Sequence, residues 1–182
     1  MMKLRRPTLA DKAAVLALVA EFEQSQSAHD GGFWDPGNFC YETWLKGVQD
    51  GELGLNLPDG WVPAIQLIGF EGKKAVGFLN LRLALNDHLL QFGGHIGYSV
   101  RPTERNKGYA KAMLKQAFSF AISRNIKRVL VICHVGNPAS RAVILANGGV
   151  LEDVREGSER YWIALESKDG NHVKHAQAMP KK

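Results

Sequence analysis

Between His95 and Ala121 the chain reads HIGYSVRPTERNKGYAKAMLKQAFSFA, and its middle holds the residue types best suited to chemistry. Arg105, Asn106, Lys107 and Gly108 form a basic, glycine-containing loop, and Tyr109 and Ala110 open an amphipathic helix directly after it. The N–H groups of a helix's first turn lack intrahelical partners, and the helix dipole places partial positive charge there. A loop feeding Gly108 to Ala110 into that turn is therefore an anion site suited to phosphate oxygens, to which Arg105 and Lys107 add full charges. A second pattern follows. Val129, Leu130, Val131 and Ile132 make a continuous apolar run, as in a strand buried on both faces. The segment after it, HVGNPASRAVILANGG, offers Asn137 as an N-cap, Pro138 at the first helical position, Ser140 in the first turn and Gly148 as a stop.

Val100-x-Pro102 followed by Arg105-x-x-Gly108-x-Ala110 resembles the acyl-CoA pyrophosphate loop of the GNAT superfamily of N-acetyltransferases, whose pattern is Gln/Arg-x-x-Gly-x-Gly/Ala after the fourth strand. Asn106 stands where many members have another glycine. The resemblance runs from about Lys3 to Leu165 and is strongest from Gly94 to Glu152. It implies a mixed α/β domain; the chain's length suits a single domain over residues 1–165, and the polar, aperiodic residues 166–182 read as a tail. The implied fold has a central, mostly antiparallel sheet containing one splayed parallel strand pair, flanked by about four helices. It further implies acetyl-CoA as cosubstrate, no metal, and direct transfer to a primary amine of a small molecule or peptide. By the same resemblance, the N–H groups from Arg105 through Asn106, Lys107, Gly108 and Tyr109 to Ala110 hold the pyrophosphate, and the backbone N–H of Val100 lies near the thioester carbonyl. Asn137 contacts the pantetheine arm, and Ser140 lies near the cofactor. Dimers are frequent in the family.

An amine must be neutral to attack, and a lysine-like amine of pKa about 10.4 is neutral only about once in a thousand molecules near pH 7.4. A base is therefore useful. His95 is the sequence's first candidate, since its ordinary pKa is near working pH, and Tyr98 is a candidate substrate holder or proton donor. Strand alternation sets His95, Gly97 and Ser99 on one face and Ile96, Tyr98 and Val100 on the other, and either set could meet the substrate. Many relatives carry a tyrosine seven residues after the asparagine of the second motif; here that position is Ile144. Two readings therefore stand beside the transferase: an acyl-CoA binding or sensing module, drawn from Ile144, and a basic RNA-associated protein, drawn from the charge.

Placing these motifs requires elements in a definite order. Lys3 to Arg6 reads as a strand. Thr8 with Asp11 resembles a capping box before a helix marked by Val15, Leu18, Val19 and Phe22. Gln24 to Gly37 is a polar loop suited to lie over a cleft, and Tyr41, Trp44, Leu45 and Val48 mark a second helix to about Asp50. Trp61 to Phe70 and Ala75 to Leu85 read as strands joined at Glu71-Gly72-Lys73-Lys74. Asp87 to Gly94 reads as a link into a strand from His95 to Val100. Val150 to Val154 and Arg160 to Leu165 close the order as a strand pair.

The 182 residues carry a formal net charge of +5, with 45% hydrophobic and 23% charged residues. That composition suits one globular domain, and the basic balance suits a polyanionic cofactor by steering. No RNA-binding aromatic motif or zinc pattern accompanies the charge, so nucleic acid is not the expected partner. Cys40 and Cys133 alone give no disulfide framework and fit a reducing compartment, so the cytoplasm is the expected location. No apolar run approaches the roughly 18 residues of a membrane span. His172 and His175 in the tail lack companions for a metal site.

Overall fold

A computed structural model of the chain describes residues 1–166. Most of the expected tail, with His172 and His175, lies outside them. The elements are β1 (Met2–Arg5), α1 (Lys12–Gln24), α2 (Tyr41–Glu52), β2 (Ala64–Glu71), β3 (Lys74–Arg82), β4 (Ile96–Val100), α3 (Tyr109–Ser123), β5 (Arg128–His134), α4 (Pro138–Ala146), β6 (Val150–Arg155) and β7 (Ser158–Ala164). This is the order read from the sequence.

The strands form two antiparallel sheets, ordered β1-β2-β3-β4 and β5-β7-β6. Strands β2 and β3 are buried along nearly their whole length because helices cover both faces. On one face Val15, Leu18, Val19 and Phe22 of α1, with Tyr41 and Leu45 of α2, pack on Ile68, Phe70, Ala75 and Phe78. On the other, Met113, Leu114, Ala117 and Ala121 of α3 pack on Ile65, Leu67, Val76, Leu79 and Leu81. The helical spacing of each set brings its apolar residues onto one stripe. The Asp11 carboxylate accepts from the Thr8 N–H at 2.8 Å and from the Arg5 guanidinium at 2.7 and 2.8 Å. The residue that starts α1 therefore also ties it to β1.

Three local departures from the sequence reading have backbone causes. The strand expected from Trp61 begins at Ala64, because Pro63 has no N–H to give a ladder. The Asp87–Gly94 link contains a π-helical turn, Leu89–Gly93, capped by Asn86 through a 2.9 Å bond from the Leu89 N–H and closed by Gly94 at φ 65°. The strand expected from His95 begins at Ile96, because His95 bridges two neighbours. Its carbonyl accepts from Arg82 N–H at 2.7 Å, and its N–H donates to the Leu130 carbonyl at 2.8 Å.

The His95–Leu130 bridge is where the two sheets meet. From it β4 and β5 diverge, with no ladder between them, so the expected splayed pair is open enough to divide the sheet in two. No helix of the described residues is long and apolar enough to cross a membrane.

Candidate active site

The gap between β4 and β5 is a cleft of about 1370 Å³. One wall is Ile96 to Val100, the opposite wall Ile132 to His134, and the first turn of α4 contributes Asn137 and Ser140. The loop between α1 and α2 roofs it from Gln26 to Phe33.

Hydrogen-bond parity decides what β4 offers this cleft. In the antiparallel β3–β4 ladder, Arg101 N–H donates to the Val76 carbonyl at 2.8 Å, and Arg82 N–H donates to the His95 carbonyl at 2.7 Å. The carbonyl of His95 and the backbone groups of residues 97, 99 and 101 therefore point at β3. Those of Tyr98 and Val100 point the other way, along an edge that no strand covers. The N–H groups of Tyr98 and Val100 are thus donors facing the cleft.

At the far end of β4 the chain turns into the loop that the sequence singled out. Asn106 and Gly108 adopt left-handed conformations, φ 63° and 82°, and α3 starts at Tyr109. Gly108 has no protein atom within 4 Å of where a Cβ would sit, so the loop's outer face is open. Arg105, Asn106, Gly108, Tyr109 and Ala110 all line the cleft. Arg105 reaches back to the Val100 carbonyl at 3.2 Å and across to Ser27 Oγ at 2.6 Å. Lys107 is the exception: it lies outside the lining and donates to the Glu104 carboxylate at 2.7 Å. Glu104 is held between Lys107 and Lys74, which together keep its carboxyl down at about 2.

Asn137 caps α4, its Oδ1 accepting from Ser140 N–H at 3.1 Å. The Ser140 hydroxyl meets the Tyr98 hydroxyl at 2.7 Å across the cleft. Burial pushes the Tyr98 phenol up to about 12, so it stays protonated at neutral pH. Ile144 is fully buried in the core beside Gly149 and does not line the cleft. Arg141, one turn from Asn137, is committed to the Glu159 carboxylate and the Val135 carbonyl.

The structure places His95 away from the cleft that the sequence reading expected it to face. Its ring does not line the cleft: it is 7% exposed, lies near Trp162, and its Nδ1 accepts from Leu130 N–H at 2.9 Å. Gly94 turns the chain immediately before it, so the alternation of β4 does not govern where the imidazole points. Burial, with the nearby Arg82 charge, lowers its pKa to about 4. The imidazole is a structural acceptor at the sheet junction.

A pH dependence follows from this. Between about 4 and 6.5 the unfolded chain takes up a proton at this site that the folded chain refuses. Stability is therefore complete above about 6.5 and falls as the pH drops toward 4, by up to about 3 kcal/mol. Thermal melts of the wild type against His95→Gln at pH 7.5 and 4.5 check this. The wild type should lose more than the variant.

Several cleft residues carried no signal of their own in the sequence. His29, Asp30, Arg82, Cys133 and His134 all line it. The His29 ring stacks on Trp34 at 3.7 Å, with Nδ1 2.7 Å from the Gly32 carbonyl. That contact makes Nδ1 the donor and leaves Nε2 as the acceptor. Burial, reinforced by Glu159, raises the Cys133 thiol to about 11. Among the described residues no group of three or more His, Cys, Asp or Glu could hold a metal.

The family model described as an acetyltransferase (GNAT) domain matches residues 2–150. The chain belongs to the GNAT acetyltransferase family. No curated protein matches it. Solved structures similar to this GNAT domain include yncA from Salmonella typhimurium with its cofactor acetyl-CoA, at 14% identity and TM-score 0.60, covering 94% of this chain and 98% of that one. Another is the microcin C7 self-immunity acetyltransferase MccE in complex with acetyl-CoA and AMP, at 18% identity and TM-score 0.61, covering 90% and 92%. A third is a ribosomal-protein-S5-alanine acetyltransferase from Vibrio fischeri, at 15% identity and TM-score 0.63, covering 90% and 92%. At these identities the likeness is one of fold, and the cleft between β4 and β5 is a feature of this GNAT domain's own residues.

Proposed function

We propose that this GNAT domain is an acetyl-CoA-dependent N-acetyltransferase that acts directly on a primary amine of a small molecule or peptide. The observation that carries the reading is the bare edge of β4: cleft-facing N–H groups at Tyr98 and Val100, leading into a left-handed, open loop at the start of α3. An extended amide-bearing arm is held on such an edge as an added strand is, and phosphate oxygens suit the loop's free N–H groups.

Acetyl-CoA, when bound, supplies the activated acetyl group. Arg105, Asn106, Gly108, Tyr109 and Ala110 would hold its pyrophosphate, and Asn137 and Ser140 would flank its pantetheine arm. Lys107 contributes positive potential but is partnered by Glu104. The Val100 N–H is a fixed backbone donor on the cleft edge, the kind of group that steadies developing negative charge without reorganising. Tyr98, protonated at neutral pH, offers its O–H as a hydrogen-bond donor beside Ser140. A thiol of ordinary pKa, about 8.5, leaves readily as thiolate, so donation from Tyr98 is enough and a tyrosine at 144 is not required.

His29 takes the role first assigned to His95. Its Nδ1 is held by Gly32, and its Nε2 is free to accept the amine's proton, directly or through one water. His29→Gln is expected to lower kcat/KM about 100-fold near pH 7 and much less near pH 9.5, where more amine is already neutral. A pH-rate profile of both proteins checks this; parallel profiles would remove His29 from proton transfer.

Burial and the neighbouring Glu159 keep the Cys133 thiol protonated, which favours direct transfer over a covalent enzyme species. Cys133→Ala should keep turnover within about threefold, measured by thiol release. The proposal as a whole is tested by calorimetric titration with acetyl-CoA followed by an amine panel with thiol detection. Micromolar binding with turnover of a primary amine supports it, and no binding to folded protein overturns it.

A further inference from the structure

The cleft has two cationic ends, and only one is accounted for by a cofactor phosphate. At the other, Arg82 closes β3 beside the start of β4. Its Nη1 donates to the carbonyls of Gly93 and Gly94 at 3.0 and 3.2 Å, which fixes the plane of the guanidinium. Its Nη2 reaches Gly97, passing 3.4 Å from where a Cβ on that residue would sit. Gly97 is one residue from Tyr98, on the side away from the phosphate loop. The head group therefore lies at the end of the cleft opposite the loop before α3, beside the start of β4.

Arg5, Arg6, Arg101, Arg124, Arg141, Arg155 and Arg160 each have a carboxylate within 4 Å. Arg82, Arg105 and Arg128 have none among the described residues; of these Arg105 and Arg128 are exposed, whereas Arg82 is half-buried and spends only one of its nitrogens on the protein. A half-buried guanidinium with an open donor edge is costly unless something anionic completes it. The remaining groups around it narrow what that is. Asp30 lines the same end and is close enough to act on the Arg82 charge. Phe33 and Phe92 line it with apolar surface and are 38% and 39% exposed.

Together these groups present a cation, an anion and two aromatic rings within one end of one cleft. We infer that the acceptor is a primary amine carrying a carboxylate, with Arg82 binding the carboxylate, Asp30 drawing in the ammonium form, and Phe33 and Phe92 flanking an apolar body. The inference rests on the transferase reading and adds the substrate class to it. The loop geometry supports the placement. Gln66, buried between the strands, donates to the Gly31 carbonyl at 2.7 Å, and Gly31 packs so closely on Gly97 that a Cβ there would lie 2.4 Å from the Gly97 carbonyl. Asp30 is thus held next to the strand that carries the acetyl site.

The test is thiol release by the full chain with acetyl-CoA and matched acceptors: leucine and phenylalanine against their C-terminal amides, and amidated dipeptides with aspartate against asparagine in second place. The expected result is a kcat/KM preference of about tenfold or more for the carboxylate member of at least one pair. A preference confined to free amino acids identifies the α-carboxylate, and one confined to the dipeptides identifies a peptide acceptor. Arg82→Gln should bring the ratio near one, and Arg82→Lys should retain part of it, with acetyl-CoA affinity changed less than about twofold in either. Equal use of acid and amide by the wild type overturns the inference without any variant, as does a preference that survives Arg82→Gln. Acetyl-CoA bound with no carboxylate acceptor turned over also overturns it, whereas failure to bind acetyl-CoA overturns the transferase reading itself.

Discussion

Gly108→Val is expected to raise the acetyl-CoA dissociation constant by at least tenfold while the protein still folds. Gly108 sits at φ 82° with open space where its Cβ would be, so valine meets no wall of protein. What it meets is its own backbone: a β-branched residue in the left-handed region costs about 1–2 kcal/mol. The same branch occupies the open face of the loop, where an anion must approach the N–H groups of α3. A thermal melt reads the strain, which for a domain of this size is a drop of several degrees, and calorimetric titration reads the blocked approach. Unchanged affinity would remove the loop from cofactor binding.

A large stability effect is expected at Gly94. A Cβ there would lie 2.6 Å from the Leu130 carbonyl oxygen and 3.2 Å from its carbon, both backbone atoms, and φ is 65°. Gly94→Ala therefore pushes directly on the bridge between His95 and Leu130, where the two sheets join. We expect a loss of about 3 kcal/mol or more, the sum of left-handed strain and a clash that only strand movement relieves. Gly60→Ala is the matched comparison, since φ is 80° there and nothing lies within 4 Å. Melting curves of the pair separate conformational strain from the clash. Similar losses in both would mean that the junction tolerates widening.

The order of elements could be read from the sequence because it is written in local signals: the apolar stripe of α1, the uninterrupted apolar run of β5, the Asn-Pro start of α4. The shape of the loop before α3 was legible for the same reason, since glycine at a left-handed position next to a helix start is a local requirement. What could not be read depends on partners distant in the chain. His95 is turned from the cleft by Gly94 and by the N–H of Leu130, which is 35 residues away. Arg82 is an ordinary strand-end arginine until Gly93, Gly94 and Gly97 are folded around it. Lys107 reads as a phosphate ligand until Glu104, held also by Lys74, takes its charge. Ile144 shows the converse: what reads as a missing catalytic group is a core side chain, and the cleft instead holds the Tyr98–Ser140 contact.

The one-sided pairing of β4 also has a dynamic signature. Ser99 and Arg101 give their amide hydrogens to β3, in a sheet covered on both faces, whereas Tyr98 and Val100 hold theirs out to an edge without a partner. Amide deuteration along this one strand should therefore alternate, fast at 98 and 100 and slow at 99 and 101, with neighbours differing by orders of magnitude under conditions where the fold is intact. A ligand lying along the edge would erase the alternation, so residue-resolved exchange maps where an arm is held before any acceptor is known.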